Sequence, residues 1–174
     1  MVEKKELFLI DSDSFMAPYR LYYAFDLVPT YWKELAEHAK TGRLVILDMV
    51  KNEIEKGEDA LTTWIHENES NFVICKHVDA QIITKYQEIL QYVQSCGYYN
   101  DRGINSWMQS NVADPWLIAT AAAKEYTLIT NEASGGTLSK KNQSSKVKIP
   151  DVAKEFGVKT KNIYYMMRQL GIKI

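Results

Sequence analysis

The run Leu7-Phe8-Leu9-Ile10-Asp11 narrows the choice of fold more than any other stretch of this chain. Four large apolar residues in succession, with no polar alternation, suit a strand buried on both faces of a parallel sheet. The run stops at a carboxylate, and Asp13 follows after Ser12. In open α/β sheets ligands bind beyond the carboxyl ends of the strands. Asp11, with Asp13 in the following turn, is therefore a candidate metal or catalytic site. Capping of the next helix by Asp11 or Ser12 explains the acids at this strand end equally well.

Two further apolar runs read as buried strands, residues 44–47 and 127–130, and a carboxylate stands close behind each. Asp48 is placed to cap a helix whose inner face carries Val50 and Ile54, with Glu53 at the border of that apolar stripe. Taken alone, Glu53 reads as a solvated glutamate near Lys51 or Lys56. The second of these strands ends at Asn131-Glu132. Between them, Asp114-Pro115 is a helix-start signal, with Asp114 at the cap and Pro115 at the first helical position. The alanine-rich helix behind it must pack closely on the sheet, which aims its N-terminus at one strand edge.

The remaining pattern is helical with short connections. Pro29 opens a helix with Tyr31, Leu35 and Ala39 at four-residue spacing, stopped by Gly42. Asp59 caps the next, which carries Leu61, Trp64 and Ile65; residues 72–74 form a short extended piece. The longest helical pattern covers 78–96, with Ile82, Tyr86, Ile89, Leu90 and Val93 as one stripe closed by Gly97. Residues 98–103 read as a polar, aromatic loop. Val147 to Ile149 reads as a final strand, and residues 151–156 and 162–170 as closing helices. Phe15, Tyr19, Tyr22, Tyr23 and Phe25 crowd the stretch after the first strand, where Pro18 interrupts any long helix. Such a cluster fits a core edge better than a base-stacking surface.

Composition sets the outer limits. At 174 residues the chain is expected to form a single domain over 1–174, and its 46% hydrophobic and 25% charged residues are those of an ordinary globular protein. A net charge of -1 excludes strong non-specific attraction to polyanions by the chain as a whole. The exception is local: residues 133–150 hold Lys140, Lys141, Lys146 and Lys148 with no acid among them, the best candidate for holding phosphate groups. Cys75 and Cys96 have no metal-ligand spacing, and His38, His66 and His77 fall on separate segments. A reducing cytoplasm is the expected compartment. Glu3, Lys4, Lys5 and Glu6 precede only a short apolar run, so neither a signal peptide nor a membrane span is expected.

Each acid has an ordinary explanation, but their order and contexts together resemble the PIN domain superfamily. That family is marked by an aspartate closing the first strand (Asp11), a glutamate in a later helix (Glu53), an aspartate opening an alanine-rich helix (Asp114) and a Thr-x-Asp after the next strand. Thr130-Asn131-Glu132 stands at the last position, with Glu132 where the pattern more often has Asp. Pro115 is a second departure. The resemblance runs over roughly residues 7–149. Ile-Asp-Ser-Asp-Ser-Phe, Leu-Asp-Met-Val-Lys-Asn-Glu-Ile and Lys-Ile-Pro-Asp-Val are more narrowly similar to an uncharacterised family of small bacterial and archaeal PIN-like proteins.

The resemblance implies a three-layer α/β/α fold around a mainly parallel sheet of four to five strands. It also implies an acidic pocket for Mg²⁺ or Mn²⁺ formed by Asp11, Glu53, Asp114 and Glu132, and metal-dependent endoribonuclease activity, frequently as a VapC-type toxin. Asp13, Thr130 and Asn131 take secondary positions: a water-mediated ligand, a hydroxyl holding a carboxylate and a polar neighbour. The partners that go with it are an RNA substrate, an antitoxin protein and a second copy of the chain, with no membrane. Hard divalent cations take oxygen ligands and neutralise charge on a transferring phosphate. Two other readings stand beside this one. A haloacid-dehalogenase-like phosphatase would use Asp11 and Asp13, although Ser14 and Asn131-Glu132 match that family poorly. A non-catalytic PIN-like module would bind RNA or a partner protein.

Overall fold

The computed structural model describes residues 5–174; Glu3 and Lys4, part of the charged opening, lie outside the described residues. The first half contains β1 (Phe8–Ile10), α1 (Asp13–Ala17), a π-helical turn (Pro18–Tyr22), α2 (Pro29–Ala39), β2 (Leu44–Leu47), α3 (Asp48–Glu55), α4 (Ala60–Asn68), a 3-10 turn (Glu69–Asn71) and β3 (Val73–Cys75). The second contains α5 (Ala80–Ser95), α6 (Asp101–Trp107), α7 (Asp114–Lys124), β4 (Thr127–Ile129), α8 (Ile149–Glu155), β5 (Thr160–Lys161) and α9 (Ile163–Leu170). The chain divides into two compact units. One comprises the residues through Lys76 with Thr127–Asn131 and Lys161–Ile174; the other comprises His77–Tyr126 and Glu132–Thr160.

The first unit is built on the sheet, whose strand order is β3-β2-β1-β4-β5. β1 pairs in parallel with β2 and β4, and β2 with β3, placing Leu9 between Val45 and Leu128. Phe8, Leu9 and Ile10 are at most 1% exposed, as a central strand requires. Burying each such side chain contributes about 1.5–3 kcal/mol. A charge at Leu9 would break the unit at its centre. Leu44 to Leu47 are equally buried, while β3 at the edge is half-exposed. The Phe15, Tyr19, Tyr22, Tyr23 and Phe25 cluster packs with α2 and α4: Phe25 lies 4.4 Å from Trp32 and 6.3 Å from Trp64, ring centre to ring centre.

The second unit is helical. Asp79 caps α5 by accepting from the Gln81 and Ile82 N–H groups, so the helix starts later than residue 78. Ile82, Ile89 and Val93 are its buried face, and the Tyr86 ring stacks on Trp116 of α7 at 3.6 Å. No helix among the described residues is long and apolar enough to cross a membrane.

Several local expectations are corrected. Residues 98–103 are not a loop throughout: Asn100 accepts from the Gly103 N–H and starts α6, and Tyr99 is buried. Residues 147–149 are not a strand, because Ile149 opens α8 with Pro150 behind it. A proline lacks the N–H a strand would use but suits the first turn of a helix. The strand missed is β5, two residues long, where Thr130 N–H donates to the Lys161 carbonyl at 2.9 Å. β3 sits one residue later than expected. Asp48 and Asp114 are the first helical residues of α3 and α7 rather than their caps, which are Leu47 and Ala113.

Candidate active site

The strand order reverses at β1. From β1 the chain moves outward to β2 and β3, then returns to the other side of β1 as β4. Such a switch point leaves a crevice beyond the strand ends, where ligands bind in open parallel sheets. Asp11 is the first residue past β1 at this point, and Thr130 the first past β4.

Asp11 is only 6% exposed. A buried carboxylate is costly unless it is hydrogen-bonded, and the first unit supplies the donors. Thr130 Oγ1 donates to Asp11 Oδ2 at 2.9 Å, and Ser12 Oγ approaches Oδ1 at 3.5 Å. The Asp11 N–H donates to the Ile129 carbonyl at 2.9 Å, which locks the strand ends in register. Ser14 Oγ donates to the same carbonyl at 3.3 Å. Asp13 is exposed in the first turn of α1, and Asn131 Nδ2 donates to its carbonyl at 3.3 Å. Glu53, expected at the border of the apolar stripe, is exposed on α3, while Val50 and Ile54 carry the buried face. The 3.6-residue period turns it away from those two.

The second unit gathers another set. Asp114 is half-buried at the start of α7, and Trp107 Nε1 donates to its Oδ2 at 3.2 Å. Glu132 accepts from Lys148 Nζ at 2.7 Å and from the Ile149 N–H at 2.8 Å. It thus ties down the first turn of α8 and holds a cation. The hydrogen bond with Glu132 raises the Lys148 ammonium above its ordinary range, and the charges of Asp114 and Asp151 act in the same direction. Asp114, Glu132, Asp151 and Lys148 are therefore one electrostatic neighbourhood. Lys148, expected to meet phosphate with the other lysines, is committed to an acid here. Lys140, Lys141 and Lys146 are exposed, with Lys140 Nζ 6.0 Å from the Tyr98 ring centre.

Trp107 is a site residue that the sequence reading passed over. Its signal was the Asn100 cap followed by Ile104 and Trp107 at helical spacing, lost once 98–103 is read as a loop. Within neither unit do the described residues gather three or more His, Cys, Asp or Glu side chains that could hold a metal ion.

A family model described as a domain of unknown function, DUF4411, matches residues 8–174. The chain belongs to that family. No curated protein matches the chain. The DUF4411 chain is similar in structure to the crystal structure of VapBC2 from Rickettsia felis bound to a DNA fragment from their promoter. The TM-score is 0.57 at 14% identity, over 90% of this chain and 98% of that one. That likeness is one of fold, and it matches the expected α/β/α PIN-like architecture with a five-stranded, mainly parallel sheet.

Proposed function

We propose that this DUF4411 protein is a PIN-like endoribonuclease that cleaves RNA phosphodiester bonds with Mg²⁺ or Mn²⁺. The observation that carries the reading is Asp11, a buried carboxylate at the sheet's switch point with Thr130 donating to it. Carboxylate oxygens are the ligands that hard divalent cations take, and Mg²⁺ needs few of them beside water and substrate oxygens. The carboxylates of Asp11, Glu53, Asp114 and Glu132 are the donor type such an ion takes, and the family pattern, not a gathered site, assigns them to it in this proposal. Bound there, it would supply Lewis-acid stabilisation of the charge that builds on a transferring phosphate.

The chain's own residues do the rest. Thr130 fixes one oxygen of Asp11, and Asn131 fixes the Asp13 turn beside it. Trp107 holds the rotamer of Asp114. Lys148 offsets the negative charge of Asp114 and Glu132, and Lys140, Lys141 and Lys146 attract the RNA backbone from solvent. Similarity of fold to the VapBC2 structure supports a protein antitoxin as partner, with the chain working as a toxin in the reducing cytoplasm. A homodimer is part of the same reading.

The test is cleavage of a structured RNA and of a generic phosphomonoester, each with Mg²⁺ or Mn²⁺ and each in excess chelator. Metal-dependent cleavage of the RNA alone is expected. Turnover of the phosphomonoester, or undiminished RNA cleavage in chelator, would refute the reading.

A further inference from the structure

The family pattern assigns four acids to the metal, and one of them is held differently from the rest. Glu132 stands where that pattern more often has Asp, and its longer side chain reaches the first turn of α8. There Oε1 accepts from Lys148 Nζ at 2.7 Å and Oε2 from the Ile149 N–H at 2.8 Å. An aspartate at the same place would end one methylene short of both.

The contact is made from both sides. α8 returns a carboxylate to the loop, where Asp151 Oδ1 accepts from Ser134 Oγ and Oδ2 from the Gly135 N–H at 2.9 Å. Ser134 Oγ in turn accepts from the Gly136 N–H at 3.2 Å. Gly135 leaves the room this needs: a Cβ there would stand 3.3 Å from Asp151 Oδ2 and 3.7 Å from Lys148 Cγ. The Lys148 and Glu132 side chains are 33% and 25% exposed, so the pair is partly withdrawn from water. Every member of the Lys148-Ile149-Pro150-Asp151 motif thus has a part in one clasp. Lys148 pairs with Glu132, Ile149 offers its N–H, Pro150 suits the first turn of α8, and Asp151 fixes the loop.

An ammonium at hydrogen-bond distance occupies the most favourable position for positive charge beside a carboxylate. A divalent ion on the same group would meet a like charge. To take Glu132, the ion would have to expel Lys148 and compete for the oxygen that satisfies a helix-start N–H, a group that is costly to orphan. Mg²⁺ is commonly held by one or two carboxylates with water and phosphate oxygens, so the reaction does not require this acid as a ligand. We infer that Glu132 is a positioning residue and not a metal ligand: it holds Lys148, whose ammonium stands at this acid in place of the divalent ion. The inference rests on the metal-dependent ribonuclease reading and removes one acid from its ligand set.

Mn²⁺ binding by titration calorimetry, and the rise in Tm that Mn²⁺ causes, are measured for wild type, Asp11→Asn, Glu132→Gln, Lys148→Met and the Glu132→Gln/Lys148→Met double variant. RNA cleavage by wild type is measured alongside. Glu132→Gln keeps an acceptor for the Ile149 N–H and should bind Mn²⁺ as wild type does. Loss of even an outer partner of a ligand costs about 10–100-fold in metal affinity, so a ligating Glu132 would show at least that loss. Lys148→Met uncovers the carboxylate and should bind Mn²⁺ about tenfold more tightly than wild type, a gain that the double variant should lack. Glu132→Gln that loses affinity as Asp11→Asn does overturns the inference and leaves the ribonuclease reading standing. Lys148→Met that binds no more tightly than wild type overturns it too, as does an equal gain with and without Glu132, which would be a general effect of charge. Wild type that neither binds Mn²⁺ nor cleaves RNA overturns the ribonuclease reading and this inference together.

Discussion

Thr130 Oγ1 donates to Asp11 Oδ2 at 2.9 Å across the β1–β4 boundary, where the order of the sheet reverses. Both residues are buried, at 4% and 6% exposure, so the bond works in a medium that weakens neither partner with water. A hydrogen bond to a charged group contributes about 1.5–3 kcal/mol. Thr130→Val keeps the shape and removes the donor, so it should destabilise the fold by about that amount. In a double-mutant cycle, Asp11→Asn should absorb part of the cost, because its amide oxygen still accepts from Thr130 but without the charge that strengthens the bond. Simple additivity of the two changes in urea melts would show that the bond carries no such energy.

Glu132 holds both Lys148 and the Ile149 N–H, and the two contacts differ in worth. Anchoring an orphan N–H at a helix start contributes about 1 kcal/mol, whereas a partly exposed ion pair contributes about 0.2–1 kcal/mol. Glu132→Ala should therefore lower Tm more than Lys148→Met. Lys148 has a raised pKa, so its contribution is complete below its ordinary value of 10.5 and is lost as pH rises through the raised one. Between pH 6 and 9 the difference between Lys148→Met and wild type should stay flat, and a slope across that window would assign the effect to another group.

β1, β2 and β4 were legible because they are buried on both faces: Leu9 and Val45 belong to runs that no amphipathic helix would present. The acids behind those strands were legible for the same reason, since a carboxylate closing an apolar run is conspicuous. What was lost is where short local patterns compete. Asn100 opens α6 with only seven residues behind it, among aromatic and polar neighbours that read as loop. Val147 to Ile149 has the composition of a strand, but Pro150 and the Glu132 carboxylate make Ile149 a helix start. β5 is too short for any period to show. The exposure of Glu53 follows from helical phase, which a border position leaves undecided by one residue.

Gly103 lies inside α6 with segment 144–145 against it. A Cβ there would meet the Ser145 carbonyl carbon at 3.0 Å and the Ser144 and Ser145 oxygens at 3.1 Å. Alanine would raise helix propensity by about 1 kcal/mol, but overpacking costs about 1–3 kcal/mol. The backbone it strikes is pinned, since the Asn100 N–H donates to Ser144 O at 3.0 Å and the Ser144 N–H to Tyr98 O at 2.9 Å. Clash should win, and Gly103→Ala should destabilise by about 1–2 kcal/mol. A Gly103→Ala protein more stable than wild type in chemical denaturation would mean that the segment gives way.

Glu55 sits between His66, at 2.7 Å, and Lys51, at 3.2 Å. Its hydrogen bond with His66, followed by that with Lys51, holds the carboxyl below its ordinary value of 4.5. A depressed carboxylate stabilises the fold above its unfolded pKa and loses that contribution as pH falls through the folded one. Glu55→Gln should therefore show a shallower loss of Tm below pH 4.5 than wild type, with His66→Gln intermediate. Identical acid limbs for wild type and Glu55→Gln would remove Glu55 from the account of acid stability.

Asp11→Asn is the most direct probe of the chemistry. Asparagine preserves size and an acceptor oxygen for the Thr130 hydroxyl, but it removes a buried negative charge. Since a buried charge is costly to desolvate, the variant should be as stable as wild type or more so in the absence of metal. RNA cleavage should nevertheless fall by at least about a hundredfold, because an amide oxygen is a poor ligand for a hard divalent cation. Melts with and without Mg²⁺ separate the outcomes. Wild type should gain Tm from the ion in proportion to RT ln(1 + [L]/Kd), and Asp11→Asn should gain much less. Full cleavage by Asp11→Asn, or an equal metal-induced rise in both proteins, would show that Asp11 is not the residue on which the reaction depends.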